Sequence, residues 1–189
     1  MLPHAEERPS EWVRRFAPLV AAGARVLDLA CGSGRHARVF ADRGCRVVAL
    51  DRDPRLGVDL AAWPGVDVRQ ADLELGPWPL GDERFDAIVV TNYLHRPLFP
   101  YILAALAPGA MLLYETFALG NGAFGKPSNP AFLLAPRELL DTFGAELRIL
   151  AFEDGYAATP RPSMVQRIAA MKPAADGSLV PAQVALHPS

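Results

Sequence analysis

The most constraining feature of this chain is the stretch from residue 25 to residue 38, which reads RVLDLACGSGRHAR. Residues 26–30 are apolar except for Asp28, a pattern typical of a central parallel strand that is covered on both faces. A buried carboxylate is costly unless it has a polar partner. We therefore expect Asp28 near the carboxyl end of this strand, facing a polar ligand.

A glycine turn follows the strand. Gly32 and Gly34 can adopt positive φ angles and let a ligand approach the backbone closely. The helix predicted over residues 35–43 begins directly after the turn, and its first turn presents free N–H groups and a partial positive charge. We therefore expect an anionic ligand group at this turn.

The rest of the chain alternates between strand and helix patterns. Strands are predicted at residues 46–51, 66–70, 85–90, 111–115, 147–152 and 164–171, and helices at 10–21, 54–62, 98–106 and 136–143. This alternation predicts an α/β fold of the Rossmann-like, doubly wound type, a mostly parallel seven-stranded sheet with helices on both faces. The last two strands are too close for a helical crossover, so one strand near the C-terminal edge should be antiparallel.

Length and charge limit the possible functions. At 189 residues the chain fits a single domain, predicted over residues 1–172 with a tail at 173–189, and leaves no room for a separate substrate domain. The net charge is −2 and the positive residues are scattered, which disfavours a nucleic-acid partner. Cys31 and Cys45 stand in no metal-ligand spacing with the histidines, so we expect two buried thiols and no metal site.

The same composition predicts a cytoplasmic protein. The first nine residues lack the apolar core of a signal peptide. Residues 97–114 carry no charge, but Pro100 and the pair Pro108-Gly109 indicate helix, turn and strand instead of a membrane span.

Polar residues follow the ends of several predicted strands. Asp51 ends the strand 46–51, and Asp72 and Asn92 follow the next two strands along the chain. Ligands of α/β sheets bind beyond the carboxyl ends of the strands, so these side chains should share one cleft. Residues 32–37 also fit the pattern G-x-G-x-x-G/A, with Asp51 where a ribose-binding acid should lie, which is compatible with NAD or another nucleoside.

Two features argue against NAD: Asp28 in the strand before the turn, and the lack of chain for a catalytic domain. The pair Asp72-Leu73 offers a carboxylate beside a backbone N–H, which suits the amine and ring nitrogen of an adenine. A short-chain dehydrogenase would also need a Tyr-x-x-x-Lys pair, which neither Tyr93 nor Tyr101 provides.

These motifs together resemble the class I methyltransferases that use S-adenosylmethionine. Residues 26–34 look like the first motif of that superfamily, Leu50-Asp51 like its ribose acid, and residues 71–73 like its adenine motif. The resemblance covers about residues 23–172. Within the superfamily, residues 92–98, 114–117 and 125–134 are similar to short bacterial enzymes related to tellurite-resistance methyltransferases. The chain departs from the motif at His36, where a third glycine often follows.

The resemblance implies S-adenosylmethionine as the cofactor and assigns roles along the cleft. The glycine turn would hold the methionine part, Asp28 its ammonium and Asp51 both ribose hydroxyls. Asn92 and Tyr93 would line the methyl-donor side. The full set of implied cofactor-binding residues is Asp28, Ala30, Gly32, Ser33, Gly34, Asp51, Arg52, Asp72, Leu73, Asn92 and Tyr93.

Tyr93 and His95, after the strand 85–90, are the candidates for a general base. Each also has a structural interpretation, since His95 is equally compatible with a helix cap or a surface residue. Arg96 could act in catalysis or pin a loop. For Glu115, at the end of the strand 111–115, substrate contact and a paired carboxylate are equal alternatives.

The loop at residues 120–130 is rich in Gly, Asn and Pro, and its length indicates a functional loop. Its surroundings from Phe117 to Leu134 hold several apolar side chains, which predicts a lid over a small acceptor pocket.

The sequence thus predicts a methyltransferase that acts by direct displacement on a small-molecule acceptor, such as a thiolate or a chalcogen oxyanion. An NAD-dependent oxidoreductase and a non-catalytic S-adenosylmethionine-binding protein are the alternatives. The acceptor and the oligomeric state are left open.

Overall fold

A seven-stranded sheet forms the centre of the protein. The structure, a computed structural model, describes residues 8–53 and 60–176. Its strands are β1 Arg25–Leu29, β2 Arg46–Asp51, β3 Val66–Gln70, β4 Phe85–Thr91, β5 Leu106–Phe117, β6 Arg148–Ala157 and β7 Ser163–Met171. They lie in the order β3-β2-β1-β4-β5-β7-β6. The first five strands pair in parallel, and β7 is antiparallel to both β5 and β6, which confirms the predicted sheet.

The helices are shorter than the sequence predicts. They are α1 Glu11–Phe16, α2 Arg35–Ala41, α3 Phe99–Ala105 and α4 Glu138–Phe143. The predicted leading helix over 10–21 is wrong in its second half, because Pro18 lies in a 3-10 turn at Ala17–Leu19. Of the predicted helix 54–62, residues 60–62 form a 3-10 turn, and 54–59 lie outside the described residues.

Helices cover both faces of the sheet, as predicted. One face packs against α1 and α2 through large side chains such as Trp12, Phe16 and Phe40. The other packs against α3 and α4, where Phe99 and Phe143 meet edge to face at 5.4 Å. Fully burying side chains of this size contributes roughly 1.5–3 kcal/mol each, so the two apolar layers hold the helices against the sheet.

Two strands extend beyond their predicted ends. β5 begins at Leu106 instead of residue 111, because Pro108 and Gly109 form an irregularity within the strand where a turn was expected. β6 continues to Ala157 because the antiparallel ladder with β7 runs as far as the pair Ala157–Ser163. The predicted domain end at residue 172 stays a prediction, and residues 177–189 of the tail lie outside the described part.

The carboxyl ends of the five parallel strands meet at one edge of the sheet, and the predicted site residues follow those ends. No helix within residues 8–53 and 60–176 combines the length and apolar character required to cross a bilayer.

Candidate active site

The turn after β1 holds three residues in the left-handed region. Ala30, Gly32 and Gly34 have φ angles of 55°, 55° and 74°. The Gly34 N–H donates to the Cys31 carbonyl at 2.9 Å, which closes the turn. A Cβ atom on Gly34 would lie 2.2 Å from a Leu60 methyl carbon, whereas one on Gly32 would meet nothing within 4 Å. The turn is therefore packed against protein at Gly34 and open at Gly32.

Asp51, the last residue of β2, is bonded to this turn. Its Oδ2 atom accepts from the Gly32 N–H at 2.8 Å, and its Oδ1 atom accepts from the Asp53 N–H at 3.0 Å. Each carboxylate oxygen can accept more than one hydrogen bond, so Asp51 retains acceptor capacity for a ligand.

Asp28 lies beneath the turn. It is 1% exposed, and its Oδ2 atom accepts from the Ala37 N–H in the first turn of α2 at 2.9 Å. Burial raises the pKa of the Asp28 carboxyl to about 7, against the lowering effect of that hydrogen bond. The partner of Asp28 is thus the helix backbone, and its contact with a cofactor ammonium stays a prediction.

His36, at the position of the missing glycine, is buried and tied to two other elements. Its Nε2 atom accepts from the N–H of Ser10, the N-cap of α1, at 3.1 Å. The ring proton must then sit on Nδ1, which lies 3.2 Å from the Thr91 hydroxyl at the end of β4. Burial lowers the pKa of His36 to about 3, so the ring is neutral at physiological pH. The side chain therefore links α1 and β4 to the helix behind the turn.

The pKa shifts of His36 and Asp28 predict opposing effects of pH on stability. His36 has a pKa near 6.5 when unfolded and about 3 when folded, so its contribution is lost as the pH falls below about 6.5. The pKa of Asp28 rises from 3.8 to about 7 on folding, so its contribution grows as the pH falls below about 7. The Asp28→Asn variant should therefore lose stability on acidification more steeply than the wild type, by up to about 1.4 kcal/mol per pH unit.

Urea unfolding at several pH values between about 4.5 and 6.5 measures this difference. The double variant Asp28→Asn/His36→Gln is the control and should return to a shallow dependence. Equal slopes in the wild type and Asp28→Asn would contradict the assignment.

A cleft opens beside the turn at the carboxyl ends of β2 and β3. It has a volume of about 640 Å³ and is lined by Arg52, Asp53, Gln70, Ala71 and Asp72. A narrow extension of about 30 Å³ continues toward the turn. The predicted residues that line the extension are Ala30, Asp51, Arg52, Asp72, Leu73 and Tyr93.

Some residues of the cleft differ from the prediction. Ser33 and Asn92 are exposed and do not line the cleft, although Asn92 has the left-handed φ of 55°. Asp53 and Gln70 line it without having been predicted, and Ala71 lines it as part of the predicted adenine motif. Their positions at or just beyond strand ends were the available signal.

Tyr93 turns its side chain toward the cleft. Its hydroxyl is buried and has no hydrogen-bond partner among the described residues. Burial, with Glu74 and Asp72 nearby, raises the pKa of Tyr93, so the hydroxyl stays protonated at physiological pH. A protonated phenol can donate a hydrogen bond to a ligand but cannot act as a general base.

The other sequence candidates have distinct surroundings. His95 is half-buried at the N-cap position of a 3-10 turn without a side-chain capping bond, and within the described residues nothing orients its ring. Glu115 forms a buried ion pair with Arg167, whose Nε atom lies 2.5 Å from its carboxylate. Of the two alternatives for Glu115, the structure supports the paired carboxylate.

Comparison with known proteins finds a family match over the segment that carries these residues. Residues 26–109, which include the turn, Asp51, Asp72 and Tyr93, match a family described as a methyltransferase domain. The match covers 84 of the 189 residues of the chain, so the likeness to a methyltransferase domain concerns this segment.

Two curated relatives illustrate the match. A trans-aconitate 2-methyltransferase of Methylobacterium nodulans is 35% identical over 114 residues, which is 57% of this chain and 43% of the relative. A demethylmenaquinone methyltransferase of Renibacterium salmoninarum is 32% identical over 115 residues, 57% of this chain and 48% of the relative. The chain thus spans about half the length of the curated relatives it matches.

Solved structures share the fold. TehB from Haemophilus influenzae superposes with a TM-score of 0.69 at 18% identity, covering 87% of this chain and 62% of TehB. An S-adenosylmethionine-dependent methyltransferase from Mesorhizobium loti gives 0.69 at 20% identity, covering 89% of this chain and 100% of that chain. At this identity the likeness concerns the fold alone.

Proposed function

We propose that the chain is an enzyme that transfers a methyl group from S-adenosylmethionine to a small-molecule acceptor. The observation that carries this proposal is the cleft, where the glycine turn, Asp51, Asp72 and Tyr93 meet at the carboxyl edge of the sheet. When bound, S-adenosylmethionine supplies a methyl group on a sulfonium, which a nucleophile takes by direct displacement.

The residues of the cleft fit that cofactor. The Gly32 and Gly34 backbone would hold the methionine part, and the unused acceptor capacity of Asp51 suits the ribose hydroxyls. Asp72 and Leu73 would take the adenine, beside the exposed Arg52. The protonated hydroxyl of Tyr93 has no hydrogen-bond partner within residues 8–53 and 60–176 and would gain one from a ligand.

The surroundings of the titratable groups support an acceptor that needs no base. Tyr93 stays protonated, His36 is buried and already bonded, and His95 has no orienting partner among the described residues. A hydroxyl or a protonated amine requires proton removal, but an ionised acceptor does not. We therefore propose a thiolate or a chalcogen oxyanion as the acceptor, with alignment and desolvation as the protein's contribution.

The relatives support a small acceptor, since their names specify trans-aconitate and demethylmenaquinone. We also propose a cytoplasmic location without a nucleic-acid partner. The net charge of −2 and the two buried free thiols fit that environment.

Isothermal titration with S-adenosylmethionine, its demethylated product and NAD tests the cofactor. We expect binding of the first two and none of NAD, whereas binding of NAD alone would favour an oxidoreductase. Methyl transfer to sodium tellurite, sodium selenite, a small thiol and trans-aconitate then tests the acceptor. Cofactor binding without transfer to any acceptor of a wider panel would favour a non-catalytic binding protein.

The variants His95→Ala and Tyr93→Phe should each lower the methyl-transfer rate by less than about tenfold at saturating cofactor and acceptor, because alignment does not depend on a base. The methyl-transfer rates of the variants and the wild type are compared across pH. Tyr101→Phe is the matched control, since Tyr101 is 46% exposed and stacks on Trp78. A decrease of the methyl-transfer rate by a factor of about 10²–10⁴, together with the loss of its pH dependence, would establish a general base instead.

A further inference from the structure

Residues 117–134, here called the β5 loop, leave the sheet at the same edge as the cleft. The loop closes at its base, where the Leu119 N–H donates to the Leu134 carbonyl and the Leu134 N–H donates to the Phe117 carbonyl, both at 2.9 Å. Inside it, the buried Asn121 side chain donates to the Pro127 carbonyl at 2.9 Å. The β5 loop is therefore a compact unit that can be placed as a whole.

One side chain from outside the loop holds its C-terminal part. The Arg96 guanidinium donates through Nη1 to the Ala131 carbonyl and through Nη2 to the Leu133 carbonyl, both at 2.9 Å. The same guanidinium donates to the two carboxylate oxygens of Glu138 at 2.6 and 2.9 Å. Glu138 lies at the start of α4 and also accepts from the Ala135 N–H at 2.8 Å. Arg96 thus joins the segment after β4, the β5 loop and α4.

This arrangement requires the shape of arginine as well as its charge. A guanidinium presents five donors in a planar fork, which satisfies a carboxylate with two parallel bonds and still reaches two carbonyls. A lysine ammonium in the same place retains the charge but cannot make the paired contact with Glu138. A lysine substitution therefore separates geometry from charge.

The segment that carries Arg96 also forms a wall of the cleft. Tyr93, three residues earlier, lines the cleft with its side chain, and its carbonyl accepts from the Tyr114 hydroxyl at 3.0 Å. Tyr114 is 1% exposed and belongs to the apolar core on this face. The segment is thus anchored to the core between the cleft wall and the Arg96 contacts.

We propose that Arg96 is a positioning residue that sets the placement of the β5 loop relative to the cofactor cleft and thereby shapes the acceptor site. Arg96 is not among the residues that line the cleft, so its effect on the site is exerted through the loop. The inference rests on the proposed function only for the assignment of an acceptor site to this edge.

The test compares Arg96→Lys and Arg96→Gln with the wild type by hydrogen exchange, cofactor titration and steady-state kinetics. Exchange of the Leu119 and Leu134 amides should accelerate by about tenfold or more in both variants. The Kd for S-adenosylmethionine should stay within about threefold of the wild-type value, and KM for the best acceptor of the panel should rise by about tenfold with kcat less affected. Arg137→Gln is the matched control, because it removes an exposed ion pair with Asp141 on α4 and should leave loop exchange unchanged.

Several results would overturn the proposal. Unchanged loop exchange in both variants would show that Arg96 does not hold the loop. Accelerated exchange of the β1 and β4 amides to the same extent would assign the effect to global stability. Faster exchange in the β5 loop with an unchanged KM for the acceptor would show that the placement of the loop does not affect the acceptor site. Failure of the wild type to bind S-adenosylmethionine would count against the proposed function, and the exchange comparison would still decide whether Arg96 positions the loop.

Discussion

Asp51→Ala should weaken the binding of S-adenosylmethionine by about tenfold to several hundredfold. Charge-assisted hydrogen bonds to the ribose hydroxyls contribute roughly 1.5–3 kcal/mol each. The substitution also removes the acceptor of the Gly32 N–H, so the open side of the glycine turn loses its tie to β2. Isothermal titration measures the Kd, and thermal unfolding shows whether the fold is retained.

Asp72→Ala provides the comparison at the other end of the cleft. A single bond to a neutral amine contributes about 0.5–1.5 kcal/mol, so Asp72→Ala should weaken binding less than Asp51→Ala. Asp67→Ala is the control, since Asp67 pairs with Arg69 away from the cleft and should leave the Kd unchanged. An unchanged Kd in a folded Asp51→Ala protein would remove Asp51 from the cofactor site.

Gly34→Ala should lower the free energy of unfolding by about 2–5 kcal/mol. The left-handed φ of 74° costs a residue with a Cβ atom about 1–2 kcal/mol. The added methyl would also lie 2.2 Å from a side-chain carbon of the fully buried Leu60, and overpacking of this kind costs roughly 1–3 kcal/mol. Urea unfolding measures the total decrease in the free energy of unfolding.

Gly32→Ala is the matched substitution, because Gly32 has a φ of 55° but open space around its Cα. Gly32→Ala should lower the free energy of unfolding only by the cost of the left-handed backbone conformation, about 1–2 kcal/mol. The double variant Gly34→Ala/Leu60→Ala should recover the clash part of the Gly34→Ala loss, relative to Leu60→Ala alone. Equal costs for the two glycine substitutions would contradict the packing of Gly34 against Leu60.

The parts of the fold that follow from local patterns could be predicted from the sequence. β2 and β3 have their predicted ends, because each apolar segment is bounded by polar or turn-forming residues. The short connection between the last two strands predicted that one of them is antiparallel, and the structure shows that this strand is β7. Asp51, Asp72 and Tyr93 lie along one edge because each stands at or just after the carboxyl end of a parallel strand, as the sequence predicted.

The departures have causes that sequence patterns do not contain. Pro108 and Gly109 read as a turn, yet they lie within β5, between Leu106 and Met111, which both pair with β4. The Gly109 N–H donates to the carbonyls of Lys172 and Pro173, just after β7. A 3-10 turn at Pro18 replaces the second half of the predicted leading helix.

Contacts between side chains that are far apart in the sequence could not be predicted either. His36 contacts Ser10 and Thr91, and Arg96 contacts Leu133 and Glu138. These partners are far apart in the sequence, and hydrophobic periodicity gives no information about such pairs. The sequence marked His36 as a departure from the motif but could not indicate what it contacts.

The position of β7 between β5 and β6 has a consequence for how the chain folds during synthesis. β6 is made before β7, but its ladder is formed with β7 alone, and β7 also supplies the second neighbour of β5. Until residues 163–171 leave the ribosome, β5 therefore presents an unpaired edge and β6 has no strand to join. The indole of Trp12 in α1 donates to the Ile168 carbonyl at 3.2 Å, so this hydrogen bond also forms only once β7 is present. The nascent chain can pair β1 to β5 early, whereas the edge of the sheet formed by β5, β7 and β6 is completed only when β7 arrives.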